Sequence, residues 1–169
     1  PYGIFSCIRT MGHIYKSRGN FDLSAQYYQE ALDYMLKNMP DQDPSQLYSS
    51  LAEYYRNTQK DYATALDYCE KALKSAKTER NIAQAMIEKC LVLFRQGRID
   101  EFNDCYKEAV QMADRCKLSA SVSLLIAHIS KNILDKQYEQ AHAHADQLSE
   151  KGLQQHAYIY ECAKDYPNA

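Results

Sequence analysis

The sequence predicts an all-α fold, built as a solenoid of antiparallel helix pairs, and two observations carry that prediction. The first is composition: the 169-residue chain has only five glycines and four prolines, and no proline lies between Ser45 and Tyr166. Strand-and-turn folds use these residue types at their turns. A long proline-free stretch rich in Ala, Leu, Gln, Glu and Lys favours consecutive helices instead. The second observation is an internal repeat.

The repeat is marked by an aromatic or apolar residue that follows a turn and recurs four times. These anchors lie 41, 37 and 39 residues apart, at Phe21, Tyr62, Ile99 and Tyr138. Each anchor precedes an amphipathic run, and the four runs cover residues 24–35, 65–76, 102–113 and 141–149. A nearly constant period of this length is typical of stacked helical repeats.

The first helix of the first unit is predicted from apolar residues at steps of three and four. These residues, which such steps place on one helix face, are Ile4, Ile8, Met11 and Tyr15. Gly19 and Asn20 are expected to end the helix, because glycine accepts the left-handed backbone of a tight turn.

The second helix of that unit is predicted from a similar stripe. Its inward residues are Ser24, Tyr27, Tyr28, Ala31 and Met35. The next unit is expected to begin near Asp43 and Pro44, with Asp43 as the N-cap and Pro44 at the first helical position.

The later units repeat the same residue types at equivalent places. Small residues in the first helices are Gly12, Ala52 and Cys90, and the residues three places on are Tyr15, Tyr55 and Leu93. Gly19 and Gly97 occupy the turn, where the second unit has Gln59 and one extra residue. The second helices share two further places, filled by Ser24, Ala65, Phe102 and Ala141, and by Ala31, Ala72 and Ala109.

These places resemble the pattern of the tetratricopeptide repeat family. The resemblance implies a right-handed α-solenoid in a single domain at 1–169, with units at about 1–40, 43–79, 80–117 and 119–151 and a terminal helix at 153–164. Because the chain begins at Pro1 without an initiator Met, we expect a fragment of a longer protein. The tyrosine-rich second helices and Leu51–Tyr55 also resemble repeat segments of bacterial, Bacteroides-type, sensor and regulatory proteins.

Composition and motifs argue against several classes of function. The formal net charge of −2 does not favour a nucleic-acid footprint, and no apolar run approaches the roughly 20 residues of a membrane span. No phosphate-binding loop or nucleophile motif is present, so we predict a non-enzyme without cofactor or metal.

His142 and His144 are two residues apart and face differently on a helix, whereas His142 and Asp146 could pair. Cys69, Cys90 and Cys105 are interpreted as buried thiols that act as small hydrophobes.

The family resemblance implies a partner-binding concave groove lined by the first helix of each unit. On this chain the groove residues are Arg9, His13, Lys16, Ser49, Glu53, Arg56, Gln84, Ile87, Leu91 and Phe94. The groove would be basic and polar at one end and apolar at the other, suited to a peptide segment. The same apolar residues could instead be covered core. Glu88 argues against a clamp for a chaperone's terminal carboxylate, which it would repel.

The function predicted from these features is a non-catalytic protein or peptide interaction module. The resemblance to bacterial regulators suggests the sensory or partner-binding part of such a protein, periplasmic or cytoplasmic. The alternative is a dimerisation or non-catalytic region of a sensor kinase or other enzyme. In that case an apolar patch at Leu91, Phe94 and Ile133 would form a homodimer.

Overall fold

The protein is described from a computed structural model, which covers residues 1–118 and 121–148 together with His156 and Ile159. Across these residues the chain forms eight α-helices and no strand. The helices are α1 (Tyr2–Ser17), α2 (Phe21–Asn38), α3 (Ser45–Tyr54), α4 (Tyr62–Ser75), α5 (Glu79–Arg95), α6 (Ile99–Arg115), α7 (Val122–Leu134) and α8 (Tyr138–Ala145). The all-α solenoid of helix pairs is therefore confirmed.

Consecutive helices pack as the pairs α1/α2, α3/α4, α5/α6 and α7/α8, and the first helices α3 and α5 also contact the helix pair before them. The core is a series of apolar clusters, three of which join neighbouring pairs, while the fourth lies within the last described pair. One cluster, for example, joins Phe5 of α1 and Tyr28 of α2 to Leu47 and Leu51 of α3. Each pair thus depends on its neighbours for burial, as in other solenoids.

The turn predictions are confirmed at the glycines. Gly19 and Gly97 both have positive φ, at 76° and 72°, between the two helices of their pairs. In the second pair the extra residue is accommodated by a π-helical turn, Tyr55–Gln59, that follows α3 directly. The next residue, Lys60, takes the left-handed conformation that glycine has elsewhere.

Two local predictions are wrong. Ile4 is 58% exposed, and the buried line of α1 runs instead through Phe5 and Gly12, which face α2. The helix α3 begins at Ser45 with Pro44 as its N-cap, one residue later than predicted. Asp43 still binds the helix start, because its Oδ1 accepts a hydrogen bond from the Ser45 N–H at 2.9 Å.

The fourth pair ends the described part of the chain. Leu125, Ile129 and Ala141 form a cluster there, and Ile159 is buried against it. His156 and Ile159 are helical, but the rest of the predicted terminal helix at 153–164 lies outside the described residues.

Candidate interaction surface

The predicted groove residues fall on α1, on α3 and its π-helical turn, and on α5. The structure joins their charged members and the neutral His13 into one row across the three first helices, and it adds Glu88, which was not predicted as a groove residue. The members of this charged row are Arg9, His13 and Lys16 of α1, Glu53 and Arg56 of the second pair, and Glu88 of α5. Lys16 is paired with Glu53, and Arg56 with Glu88.

The pair between Arg56 and Glu88 is internal. The Arg56 Nε donates a hydrogen bond to Glu88 Oε1 at 2.7 Å, and Arg56 also donates to the side chain of Asn57. The two partners are 5% and 3% exposed at their side chains. Although burial acts against its charge, the carboxylate of Glu88 raises the pKa of Arg56, so the guanidinium stays charged.

Arg9 lies at the other end of the charged row and differs from the other two cations. Its Cζ lies 5.5 Å from the centroid of the Phe5 ring. Its Nε is buried without a hydrogen-bond partner, and no carboxylate among the described residues pairs with its guanidinium. The charged row therefore carries one positive charge that no carboxylate of the described residues compensates.

His13 lies beside Arg9 and Lys16 on the same face of α1. Its Nδ1 is 3.0 Å from the hydroxyl of Tyr28, and the two rings meet edge to face. Burial lowers the pKa of His13, and the charges of Arg9 and Lys16 lower it further. The imidazole is thus neutral at pH 7 and adds a polar but uncharged edge to this face.

The apolar end of the predicted groove is not open. Ile87 and Leu91 are 0% and 2% exposed, and Phe94 is half-buried with its ring 5.6 Å from that of Phe102. The reason is the position of α5, which contacts α3, α4, α6 and α7. The prediction that Ile87, Leu91 and Arg56 line an accessible surface is therefore wrong, and the alternative of a covered core holds for Ile87 and Leu91, whereas Phe94 stays partly accessible.

The open part of the predicted groove is polar. It contains the half-buried Arg9, Lys16, Ser49, Glu53 and Gln84 together with the exposed His13. The homodimer patch predicted at Leu91, Phe94 and Ile133 is mostly internal, since Ile133 is only 9% exposed.

His142 and His144, near the end of the described chain, contact different residues. Asn132 Nδ2 lies 3.1 Å from His144 Nδ1, whereas His142 Nδ1 lies 2.6 Å from His156 Nδ1. Asp146 contacts the Nε2 of His156 at 3.0 Å. Over the described ranges, no group of three or more His, Cys, Asp or Glu side chains is arranged to hold a metal ion. Those ranges also contain no helix long and apolar enough to cross a membrane.

The comparison with known families gives one match. The tetratricopeptide repeat model matches residues 5–78, which span α1 to α4. Residues 5–78 are therefore identified as tetratricopeptide repeats. Tetratricopeptide repeats generally mediate protein–protein interactions, and the match supports that general role for this part of the chain. A comparison with curated proteins finds no match.

Gly12 is the small residue at the point where the two helices of the first repeat cross. A Cβ at that position would lie 2.6 Å from Cε1 of Tyr28, so the close crossing of α1 and α2 needs glycine. Sequence reasoning found this place, but it missed the buried partner of Arg56. The signal in the sequence was Glu88, which was interpreted only as a charge that repels a carboxylate.

Proposed function

We propose that this tetratricopeptide repeat protein binds an acidic peptide segment along the open, polar part of its first-helix face, with Arg9 as the cation that receives a carboxylate. The single observation that supports this is the uncompensated charge of Arg9. Lys16 and Arg56 are each neutralised by a glutamate of the next repeat, and Arg9 has no such partner among the described residues. A guanidinium whose Nε is buried without an acceptor gains a charge-assisted hydrogen bond when a carboxylate arrives.

The pairing of Lys16 and Arg56 with glutamates also determines where on this surface an acidic residue of the partner binds. A partner's carboxylate is attracted at Arg9 and finds no free cation at Lys16, which is already paired with Glu53. An acidic residue of the partner therefore lies at α1, and neutral polar residues lie beyond it, near Ser49 and Gln84. This arrangement deepens the general role of the family by naming the charge of the partner. By resemblance, we further propose the partner-binding part of a bacterial regulatory protein.

The experiment uses labelled ten-residue peptides with three Asp or Glu positions, and a matched set with Asn or Gln at those positions. Fluorescence anisotropy compares their binding to the wild-type protein, Arg9→Ala and Arg115→Ala. Arg115 is the matched control, since it is exposed at the end of the second helix α6. We expect acidic peptides to bind, and Arg9→Ala to weaken them by about tenfold or more, as for a lost charged hydrogen bond.

Arg115→Ala should leave that binding unchanged, and added salt should weaken it. Equal binding of the acidic and amide peptides, or equal binding by the wild type and Arg9→Ala, would contradict the proposal. Thermal unfolding of Arg9→Ala, measured alongside, separates loss of the site from loss of the fold.

A further inference from the structure

Two thiols meet inside the third helix pair, away from the charged row. Cys90 of α5 and Cys105 of α6 have their Sγ atoms 2.9 Å apart, and they are separated by 15 residues of chain. The Cys105 Sγ also lies 3.5 Å from the carbonyl oxygen of Met86. A disulfide bond needs a separation of about 2.05 Å, so only a small approach of the two sulfurs separates the present contact from a covalent bond.

The two thiols differ in their access to solvent. Cys90 is fully buried. Cys105 is half-buried and lines a surface cavity of about 340 Å³ between α5 and α6, together with Met86, Lys89 and Glu108. A small molecule that enters this cavity therefore reaches Cys105 first, and Cys90 lies directly behind it.

The hydrogen bond between the two thiols, together with burial and nearby charges, shifts the pKa values of Cys90 and Cys105 in opposite directions. The hydrogen bond that Cys90 donates lowers the pKa of Cys105, and the ammonium of Lys89 supports this effect, while burial and the carboxylate of Glu108 oppose it. The same hydrogen bond, together with burial, raises the pKa of Cys90. The outer sulfur is thus the better thiolate and the inner one the proton donor, which is the division of labour that thiol–disulfide exchange uses.

We propose that Cys90 and Cys105 form a two-cysteine modification site for small disulfide compounds. In the first step the Cys105 thiolate attacks one sulfur of the compound; a bond forms from Cys105 to that sulfur, and the second sulfur leaves as a thiolate. In the second step Cys90 gives its proton to the departing thiolate and, as a thiolate itself, attacks the Cys105 sulfur; the bond from Cys105 to the compound's first sulfur breaks, and that sulfur leaves as the second thiol after taking a proton from solvent. The products are the Cys90–Cys105 disulfide and two reduced thiol molecules, so the compound is the oxidant and the protein thiols are oxidised.

The other described cysteines lack this arrangement. Cys69 is buried, and burial raises the pKa of its thiol strongly. Cys7 is exposed on α1 and Cys116 is half-buried, and neither is described as contacting a second sulfur. They serve as internal controls for simple exposure.

The test treats the reduced full chain with oxidised glutathione, blocks the remaining thiols with an alkylating agent, and maps the tryptic peptides by mass spectrometry. The two relevant peptides are residues 90–95 and 99–107, which end at Arg95 and Lys107. We expect these peptides to be found joined by a disulfide. In Cys90→Ser the peptide 99–107 should instead carry glutathione, and in Cys105→Ser the peptide 90–95 should be alkylated.

The control variant Cys69→Ser should give the joined peptides in the same yield as the wild type. Oxidation should also raise the thermal midpoint of the wild type but not that of Cys90→Ser, because a cross-link constrains the unfolded chain. Glutathione on Cys7 or Cys116 with both 90–95 and 99–107 alkylated would overturn the proposal. A wild type that keeps glutathione on Cys105 without the cross-link would overturn it as well.

Discussion

Arg56 and Glu88 form a buried ion pair that links the first helices of two successive repeats. The Arg56 Nε lies 2.7 Å from Glu88 Oε1, and the residues are 32 positions apart in the chain. Arg56 belongs to the π-helical turn after α3, and Glu88 lies in the middle of α5. The pair therefore joins the segment matched by the tetratricopeptide repeat model to the repeat that follows it.

Removing one partner of this pair should destabilise the protein strongly, because the other charge is left buried and unpaired. We expect Arg56→Met to lower the free energy of unfolding by about 3–5 kcal/mol. In the double variant with Arg56→Met and Glu88→Leu, most of that loss should be recovered, since two apolar side chains replace two charges. Urea unfolding of the single and double variants measures the difference.

The matched control is Lys16→Met, which breaks the more exposed pair with Glu53. We expect it to cost less than about 1 kcal/mol. If Arg56→Met cost no more than Lys16→Met, the buried pair would have no structural importance of its own.

Gly12 and Gly3 lie in the same helix but should respond oppositely to alanine. At Gly12 the new Cβ would meet Cε1 and Cδ1 of Tyr28 at 2.6 and 2.7 Å, and Tyr28 is itself buried. We expect Gly12→Ala to cost about 1–3 kcal/mol through overpacking. At Gly3 no atom lies within 4 Å of an added Cβ, so Gly3→Ala should stabilise α1 by up to about 1 kcal/mol. Thermal unfolding distinguishes the two signs, and equal effects would disprove the close crossing.

Lys60 takes a backbone conformation that glycine occupies in two other repeats. Its φ is 53°, whereas Gly19 and Gly97 have φ of 76° and 72°. We expect Lys60→Gly to stabilise the protein by about 1 kcal/mol, because a side chain in the left-handed region costs roughly that much. Gly19→Ala should lose a similar amount, and since no atom lies near its added Cβ, the loss is backbone strain alone. Chemical unfolding of both variants tests this reciprocity.

Much of the fold could be predicted from the sequence because its signals are local. The spacing of apolar residues locates the helices, and a glycine with positive φ ends α1 where Gly19 stands. The family places for small residues likewise identify Gly12 and Ala52, which mark close helix crossings. These features depend on residues within one or two turns of each other.

The site could be predicted less well because it depends on which faces are covered. Ile87 and Leu91 occupy first-helix positions like those of Arg9 and His13, yet they are buried, since α5 is surrounded by four other helices. The contact of Cys90 with Cys105 likewise depends on how α5 and α6 are rotated against each other. Periodicity places both cysteines on apolar faces but cannot bring two sulfurs together.

His128 is neutral inside the last helix pairs, and its environment has a consequence for stability at acid pH. Its Nδ1 lies 2.6 Å from the hydroxyl of Tyr106, and burial raises the pKa of Tyr106 to about 12, so the hydroxyl donates. The ring of His144 stacks on His128 with centroids 5.0 Å apart. Burial and then His144 lower the pKa of His128, and only Asp114 acts in the opposite direction.

The unfolded chain therefore binds a proton at His128 more readily than the folded protein does. As the pH falls below about 6.5, the unfolded state becomes protonated first, so stability decreases from that pH down to the lowered pKa of the folded state. His128→Gln should make the free energy of unfolding less dependent on pH between about 5 and 7. Urea unfolding at several pH values measures that slope.

His13, whose pKa is also lowered by burial, contributes in the same direction, so the double variant with His13→Gln should flatten the slope further. An unchanged slope in both variants would show that neither imidazole is kept neutral by the fold.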